Sequence, residues 1–246
     1  MFPTSIVDLS HPLQSGMTCY PGDPGFSIRC SCNSPISDAP PMVITVHELT
    51  CSTHTGTHVD TPFHFFHGGA KLSDIPLERF VGRAVVLDVR HAAHPRKKIG
   101  WADVDIECNS AGLRQIGPRS EGKVEIVLLW TGWDTHWDTP TYFAHPYFAR
   151  EVAERLRDMG VGMVGLDTLN PDETPADASE GGGPGDGFGG HEVLLGAGRL
   201  ICENLRGLGT LAGDSVSEAW VSIVPLLISG SDGSPVRAYG WRQVKA

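Results

Sequence analysis

The sequence predicts an α/β fold in which a central mixed sheet is flanked by helices. Three observations carry that reading. Short uninterrupted apolar runs, Ala84 to Val89 (AVVLDV), Val124 to Thr131 (VEIVLLWT) and Val161 to Asp167 (VGMVGLD), suit strands buried on both faces. Phe148, Val152, Leu156 and Met159 recur at helical spacing, with Pro146 suited to the first helical position and Gly160 to the stop. Glycine and proline punctuate the chain between these segments.

The N-terminal third adds shorter elements. Ile6 to Leu9 reads as a first strand, and Tyr20-Pro21-Gly22-Asp23-Pro24 as a tight turn. Ser34 to Pro41, polar and proline-bearing, reads as a loop, and Met42 to Leu49 as a strand. Leu72 to Phe80 reads as a short helical turn and Trp101 to Leu113 as partly helical. His91 and His94 lie among prolines and lysines and read as solvated loop residues. Trp133, Trp137, Tyr142 and Phe143 cluster after a strand, either as a pocket wall for a flat substrate or as a lid or subunit contact. Asp167 closes a strand, as a partner of site residues or as a turn former. The glycine-rich segment 170–190 reads as a flap or surface loop without a nucleotide-binding fingerprint. Ile223 to Ile228 suits a buried strand, and Val221 to Trp241 a long hairpin around Ser229 to Pro235.

Composition excludes several classes. Hydrophobic residues at 40% are ample for a core. The net charge of −10 argues against nucleic acid, whose phosphates such a surface repels. No apolar stretch approaches the roughly 18 residues of a membrane span. The start, MFPTSIVDLSHPL, lacks the features of a secretory signal. The six cysteines form no C-x-x-C pair, so reduced, mostly buried thiols in a cytoplasmic protein are the expectation.

The densest chemistry lies between Cys51 and Gly69, where His54, His58, Asp60 and His64 fall within eleven residues. Imidazole nitrogen and carboxylate oxygen suit zinc and similar divalent ions. All four positions are even, so an extended strand would place them on one face. His58 and Asp60 would lie about 6–7 Å apart, within reach of one ion, whereas His54 and His58 would lie about 13 Å apart on a straight strand. The chain must therefore bend, and Gly56 permits it. Five β-branched residues, Gly56 and Pro62 argue against a helix here.

The run His54-Thr55-Gly56-Thr57-His58-Val59-Asp60-Thr61-Pro62-Phe63-His64 resembles the H-x-G-T-H-x-D-x-P-x-H signature of the cyclase superfamily, which includes bacterial kynurenine formamidases, isatin hydrolases and enzymes of polyketide pathways. His191 before Leu194-Leu195, Glu203 before Asn204-Leu205, and the Asp-Gly-Ser-Pro-Val-Arg run through Arg237 also match, so the resemblance covers nearly the whole chain. It implies one domain over residues 1–246, of the swivelling β/β/α type. It implies one or two divalent ions, zinc or else manganese: His54, His58 and Asp60 would hold the first, and Asp60, His191 and Glu203 the second. Such ions would lower the pKa of a bound water and polarise a carbonyl. His64 would carry the proton; the competing assignment makes His64 a ligand and His67 the carrier. Tyr20 would wall the substrate pocket, or else simply pack on its turn.

The activity so implied is hydrolysis of an aryl formamide or cyclic amide, such as N-formylkynurenine or isatin. The alternative is a polyketide-pathway cyclase using the same ions for enolate stabilisation. The partners implied are a small-molecule substrate and a second copy of the chain, as a homodimer or higher homo-oligomer.

Overall fold

A computed structural model describes residues 5–118, 123–176, 185–213 and 217–244. Its framework is a nine-stranded mixed sheet. Four central strands run parallel: β5 (Val81–Asp88), β7 (Ile126–Trp130), β9 (Met163–Leu166) and β10 (Leu200–Glu203). Beyond β5, β11 (Ser217–Ser222), β13 (Tyr239–Val244) and β1 (Val7–Asp8) continue antiparallel. Beyond β10 lie β4 (His58–Asp60) and then β12 (Gly233–Pro235), also antiparallel.

The central strands read as continuous apolar runs because both faces are buried. Val127 and Leu129 of β7 point into one core cluster, Ile126 and Leu128 into the other. The first face is covered by helices: α1 (Trp101–Val104) through Val104, α3 (Arg150–Asp158) through Val152, Ala153 and Leu156, and α4 (Gly189–Gly196) through Val193, Leu194 and Leu195. A further helical turn, α2 (Ser110–Leu113), lies against β5. Among the described residues no α-helix covers the second face, which is closed by the curling sheet and by short 3-10 turns that contribute Leu72, Phe80, Leu208 and Leu211. The expected α/β class and mixed sheet are present, with these helices gathered on one face. No helix among the described residues is long and apolar enough to cross a membrane.

Several local expectations are corrected. Ser34 to Pro41 is not a loop: β2 (Ser27–Asp38) and β3 (Pro41–Thr50) form a two-stranded ribbon. Pro35 is tolerated because the pairing slips between Pro35 and Ser37, and a two-stranded ribbon has a free edge on each strand. The first helical position of α3 is Arg150, because Pro146 instead precedes β8 (Tyr147–Phe148), which pairs with β6 (Lys98–Ile99). Gly160, at φ +85°, is the stop expected. Gly189 and Gly190 are helical rather than loop, and small for a reason: a Cβ on Gly190 would sit 2.8 Å from Pro171. Residues 177–184 of the expected flap lie outside the described residues.

Ile223 to Ile228 is not a buried strand. Ile223 is buried, but Leu226 is 64% and Leu227 85% exposed. The tail is not a simple hairpin either, since β12 leaves β11 and β13 to pair with β4. Nor are the thiols mostly buried: Cys202 is, while Cys30, Cys51 and Cys108 are exposed.

His145 ties two loops together. Its Nδ1–H donates to the Pro146 carbonyl (2.8 Å), and its Nε2 accepts from the Thr174 hydroxyl (2.8 Å). Burial first, with the Arg96 charge, pushes its pKa down to about 4 against the opposing pull of Pro146, Glu203 and Asp172. The unfolded chain therefore binds the extra proton. This contribution to stability is full above about pH 6.5 and is lost as pH falls toward 4, reaching about 3 kcal/mol. Urea unfolding should show it: His145→Gln lowers stability at pH 8 but flattens its decline toward pH 5. An unchanged pH slope would refute the assignment.

Candidate metal centre

The site forms where β4 lies between β10 and β12. His58 and Asp60 alternate with Val59, so both polar side chains share one face while Val59 enters the core. The β4–β10 register sets Glu203 directly across from His58. The bend that returns His54 to this face occurs at Gly56, at φ +62°, a left-handed conformation that favours glycine. A Cβ there would also lie 2.7 Å from Leu13. Pro62 opens the single turn Pro62–His64, which brings His64 back over the site.

Asp60 is fully buried at the centre of this cluster. Its Oδ1 faces His54 Nδ1 at 2.7 Å and His58 Nε2 at 3.3 Å. Its Oδ2 faces His191 Nε2 at 3.8 Å. Glu203 reaches His58 Nε2 at 3.3 Å and His191 Nε2 at 3.2 Å. Two potential metal-ligand groups result, His54–His58–Asp60 and Asp60–His191–Glu203, with Asp60 common to both.

The donor set fits a divalent ion. Among the described residues, His58 Nε2, Asp60 Oδ2 and Glu203 Oε1 are buried without a hydrogen-bond partner, although buried polar atoms almost always have one. These are lone-pair atoms converging on a shared space. The electrostatics agree. Burial opposes charge on His54, yet the Asp60 charge and the bonds to Asp232 and Asp60 raise it to about 9. Burial likewise opposes charge on His191, and Asp172 and Glu203 raise it to about 10. His58 is raised well above its ordinary value by Asp60 and Glu203 against burial. Asp60 is held well below the usual carboxylate range, against burial, by His58 and His54. The carboxylates demand positive charge, and a divalent cation supplies it without protonating the rings.

Each candidate histidine ligand is fixed through its other nitrogen. His54 Nε2–H donates to Asp232 (3.0 Å), His58 Nδ1–H to the Gly56 carbonyl (2.8 Å) and His191 Nδ1–H to Asp172 (2.7 Å). Such partners set the tautomer and aim the free nitrogen. Asn204, at φ +57°, donates to the same Gly56 carbonyl (3.0 Å) and accepts from the Tyr142 hydroxyl (2.9 Å). Sequence reasoning missed the roles of Asp172 and Asp232. Each sits in a run, NPDE or SDGSP, that looks like turn chemistry alone.

His64 stands apart from both ligand groups that contain Asp60. Its ring lies 3.9 Å from that of His54 and 5.9 Å from that of His191, and its Nδ1 is 3.5 Å from Asp232. A third potential group, His54–His64–Asp232, is more exposed. Burial first, with His54 and His191, lowers the pKa of His64, so it is neutral at neutral pH. His67 is exposed against Phe63. Asp167 accepts from the Thr131 hydroxyl and from the amides of Thr131 and Gly132, and so fixes the loop after β7. Trp133, Tyr142 and Leu169 form a small core that Tyr20, Trp137 and Phe143 pack against.

A cavity of about 210 Å³ opens over the cluster, lined by Tyr20, Phe65, Leu169 and Phe188 among others. Phe65 stacks on His191 at 4.5 Å between ring centroids. Of the expected site residues, the structure brings His54, His58, Asp60, His64, His191, Glu203 and Tyr20 to this one cavity or its floor.

Known proteins resemble the chain over nearly all its length. A kynurenine formamidase of Bacillus cereus is 30% identical over 234 residues, 94% of this chain and 95% of that protein. An isatin hydrolase A of Labrenzia aggregata superposes with a TM-score of 0.75 at 24% identity, covering 98% and 94% of the two chains. A "predicted metal-dependent hydrolase" of Bacillus stearothermophilus superposes with a TM-score of 0.69 at 25% identity, covering 96% and 97%. The family described as "Putative cyclase" matches residues 7–173. With more than half its length matched by that family, the chain belongs to the cyclase family.

Proposed function

We propose that the chain is a metal-dependent amide hydrolase that opens an aryl formamide or a cyclic aryl amide. The observation that carries this reading is the buried Asp60 shared between two ligand groups, beside three buried lone-pair atoms without partners. The kynurenine formamidase and isatin hydrolase relatives support the bond class, since both names describe cleavage of an amide attached to an aromatic ring. Zinc is the proposed ion and manganese the next; nitrogen and carboxylate donors suit both. A cavity of about 210 Å³ fits one or two rings and is small for a folded polyketide chain.

His54, His58 and Asp60 would hold one ion, and Asp60, His191 and Glu203 a second. A divalent ion so held polarises the amide carbonyl and lowers the pKa of water. The chain supplies the rest. Neutral His64 takes a proton from the attacking water and returns it to the departing nitrogen as the C–N bond breaks. Asp232 lies beside His64 Nδ1 and stabilises the imidazolium formed in between. Tyr20, Phe65 and Phe188 would hold the ring flat against the floor.

A homodimer or higher homo-oligomer is part of the same proposal. The β2–β3 ribbon leaves Ile28, Ile36, Val43, Ile44 and Leu49 exposed, and an isolated two-stranded ribbon is marginal in water.

The reading is tested with zinc- or manganese-loaded protein on N-formylkynurenine, formanilide and isatin. Turnover of at least one, abolished by chelator, is expected. Asp60→Asn should lose both bound ions, whereas Glu203→Gln should lose one, as counted by elemental analysis. His64→Ala should keep the ions and lose about 10²- to 10⁴-fold in kcat, with His67→Ala unaffected. An active His64→Ala enzyme would remove His64 from its role. Asp172→Asn should weaken metal binding about 10- to 100-fold in a calorimetric titration; undiminished affinity would show that His191 needs no such partner. Metal binding should also release protons, so affinity should rise with pH through the neutral range, because the metal-free rings of His54 and His191 are protonated up to about 9 and about 10.

A further inference from the structure

One buried side chain joins the two ligand groups without belonging to either. Asn204 directly follows Glu203 in the chain and is buried. Its backbone is left-handed, at φ +57°, a conformation that glycine adopts freely and that strains a residue with a Cβ. What this position gains from a side chain is the amide. The main chain of Asn204 is held on both sides: its N–H donates to the Thr168 carbonyl (3.1 Å), and its carbonyl accepts from the Thr57 hydroxyl (2.6 Å).

The orientation of the amide is dictated by its partners. Nδ2 donates to the Gly56 carbonyl (3.0 Å) and lies 3.5 Å from the Leu169 carbonyl. Carbonyls only accept, so the NH₂ end must face them and Oδ1 must face the Tyr142 hydroxyl (2.9 Å), which donates. Tyr142 is fully buried on the turn Pro140–Ala144. Its hydroxyl therefore holds the amide in the one orientation that serves Gly56. The Gly56 carbonyl is also the acceptor for His58 Nδ1–H (2.8 Å), and it belongs to the bend that returns His54 to the site. Asn204 thus holds that bend through its side chain and continues from Glu203 through its main chain.

We infer that Asn204 and Tyr142 are positioning residues that tie the His54–His58 bend to the strand end carrying Glu203, so that the two ligand groups keep their geometry as one unit. The inference rests on the metal-site part of the hydrolase reading and adds to it the two residues that hold the site's halves in register. Tyr142 acts only through Asn204. Without the amide, the Gly56 carbonyl keeps a single donor from this side of the site, the bend is freer to turn, and the His58 ring turns with it.

The experiment is a calorimetric zinc titration of metal-stripped protein, with urea unfolding of the metal-free form alongside. Asn204→Ala should weaken zinc binding about 10- to 100-fold. Tyr142→Phe removes one hydroxyl and should weaken it about two- to tenfold. In the Asn204→Ala background, Tyr142→Phe should add nothing, because its partner is gone. Asn204→Gly relieves the left-handed backbone, so its metal-free form should be more stable than that of Asn204→Ala while binding zinc as weakly. An amide that served the fold alone would let zinc affinity follow stability. The same effect of Tyr142→Phe in both backgrounds, or an Asn204→Gly protein that binds zinc as tightly as the parent, would overturn the inference while leaving the metal site standing. A parent protein that binds no zinc would overturn the metal site and this inference together.

Discussion

The structure depends on keeping one carboxylate charged where water does not reach. Asp60 is fully buried, and an ionised carboxylate so placed is costly unless partners compensate it. Its two oxygens are divided between them: Oδ1 faces His54 and His58, and Oδ2 faces His191. Four chain segments, at residues 54, 58–60, 191 and 203, must therefore converge so that their ligand atoms come within a few ångströms of Asp60. The fold around the site is the means of holding that convergence.

Convergence is achieved by strand pairing more than by loops. β4 has only three residues, but it is paired on both edges. One partner, β10, delivers Glu203 opposite His58. The other, β12, follows Asp232, whose carbonyl accepts from the Thr61 amide (2.9 Å) and hydroxyl (3.0 Å). That places the Asp232 carboxylate against His54. Gly233 is part of the same fit, since a Cβ there would lie 2.7 Å from the Val59 carbonyl and 3.0 Å from the His54 ring. The helix α4 brings in His191 at its first turn, and Asp172 accepts from the amides of Gly190 and His191 as well as from the His191 ring. Asp172 thus fixes the start of the helix and the aim of its histidine at once.

Much of this was legible in the sequence, and for physical reasons. Even spacing at 54, 58 and 60 with a glycine between requires a bent strand or loop, and the structure has a turn through Gly56 leading into the three-residue strand β4. The apolar runs at 84–89, 124–131 and 161–167 suit strands buried on both faces, and each contains a central strand of the sheet. His191 and Glu203 were not legible from spacing; they were found through the resemblance of the residues around them, because their approach to Asp60 is a long-range pairing that no local period encodes. Asp172 and Asp232 stayed hidden for a related reason. An aspartate beside proline or glycine is good turn chemistry, and its second use appears only when the opposite strand is in place. Two of the corrections share an origin. Pro35 and the apolar residues around Leu227 were judged by composition, whereas pairing register and exposure decided their conformation.

The division of labour between framework and rim follows. The candidate ligands His58, Asp60 and Glu203 stand on strands paired within the sheet, where a displacement of an ångström would disturb several hydrogen bonds at once. The cavity wall comes from elsewhere: Tyr20 and Asp23 from a turn, Phe65 from the residue after a single helical turn, Phe188 from the residue preceding α4. None of these wall positions pairs in the sheet, so each can change without moving Asp60. A framework of this kind can hold the ligand groups fixed while the cavity wall is shaped by the turns that surround it.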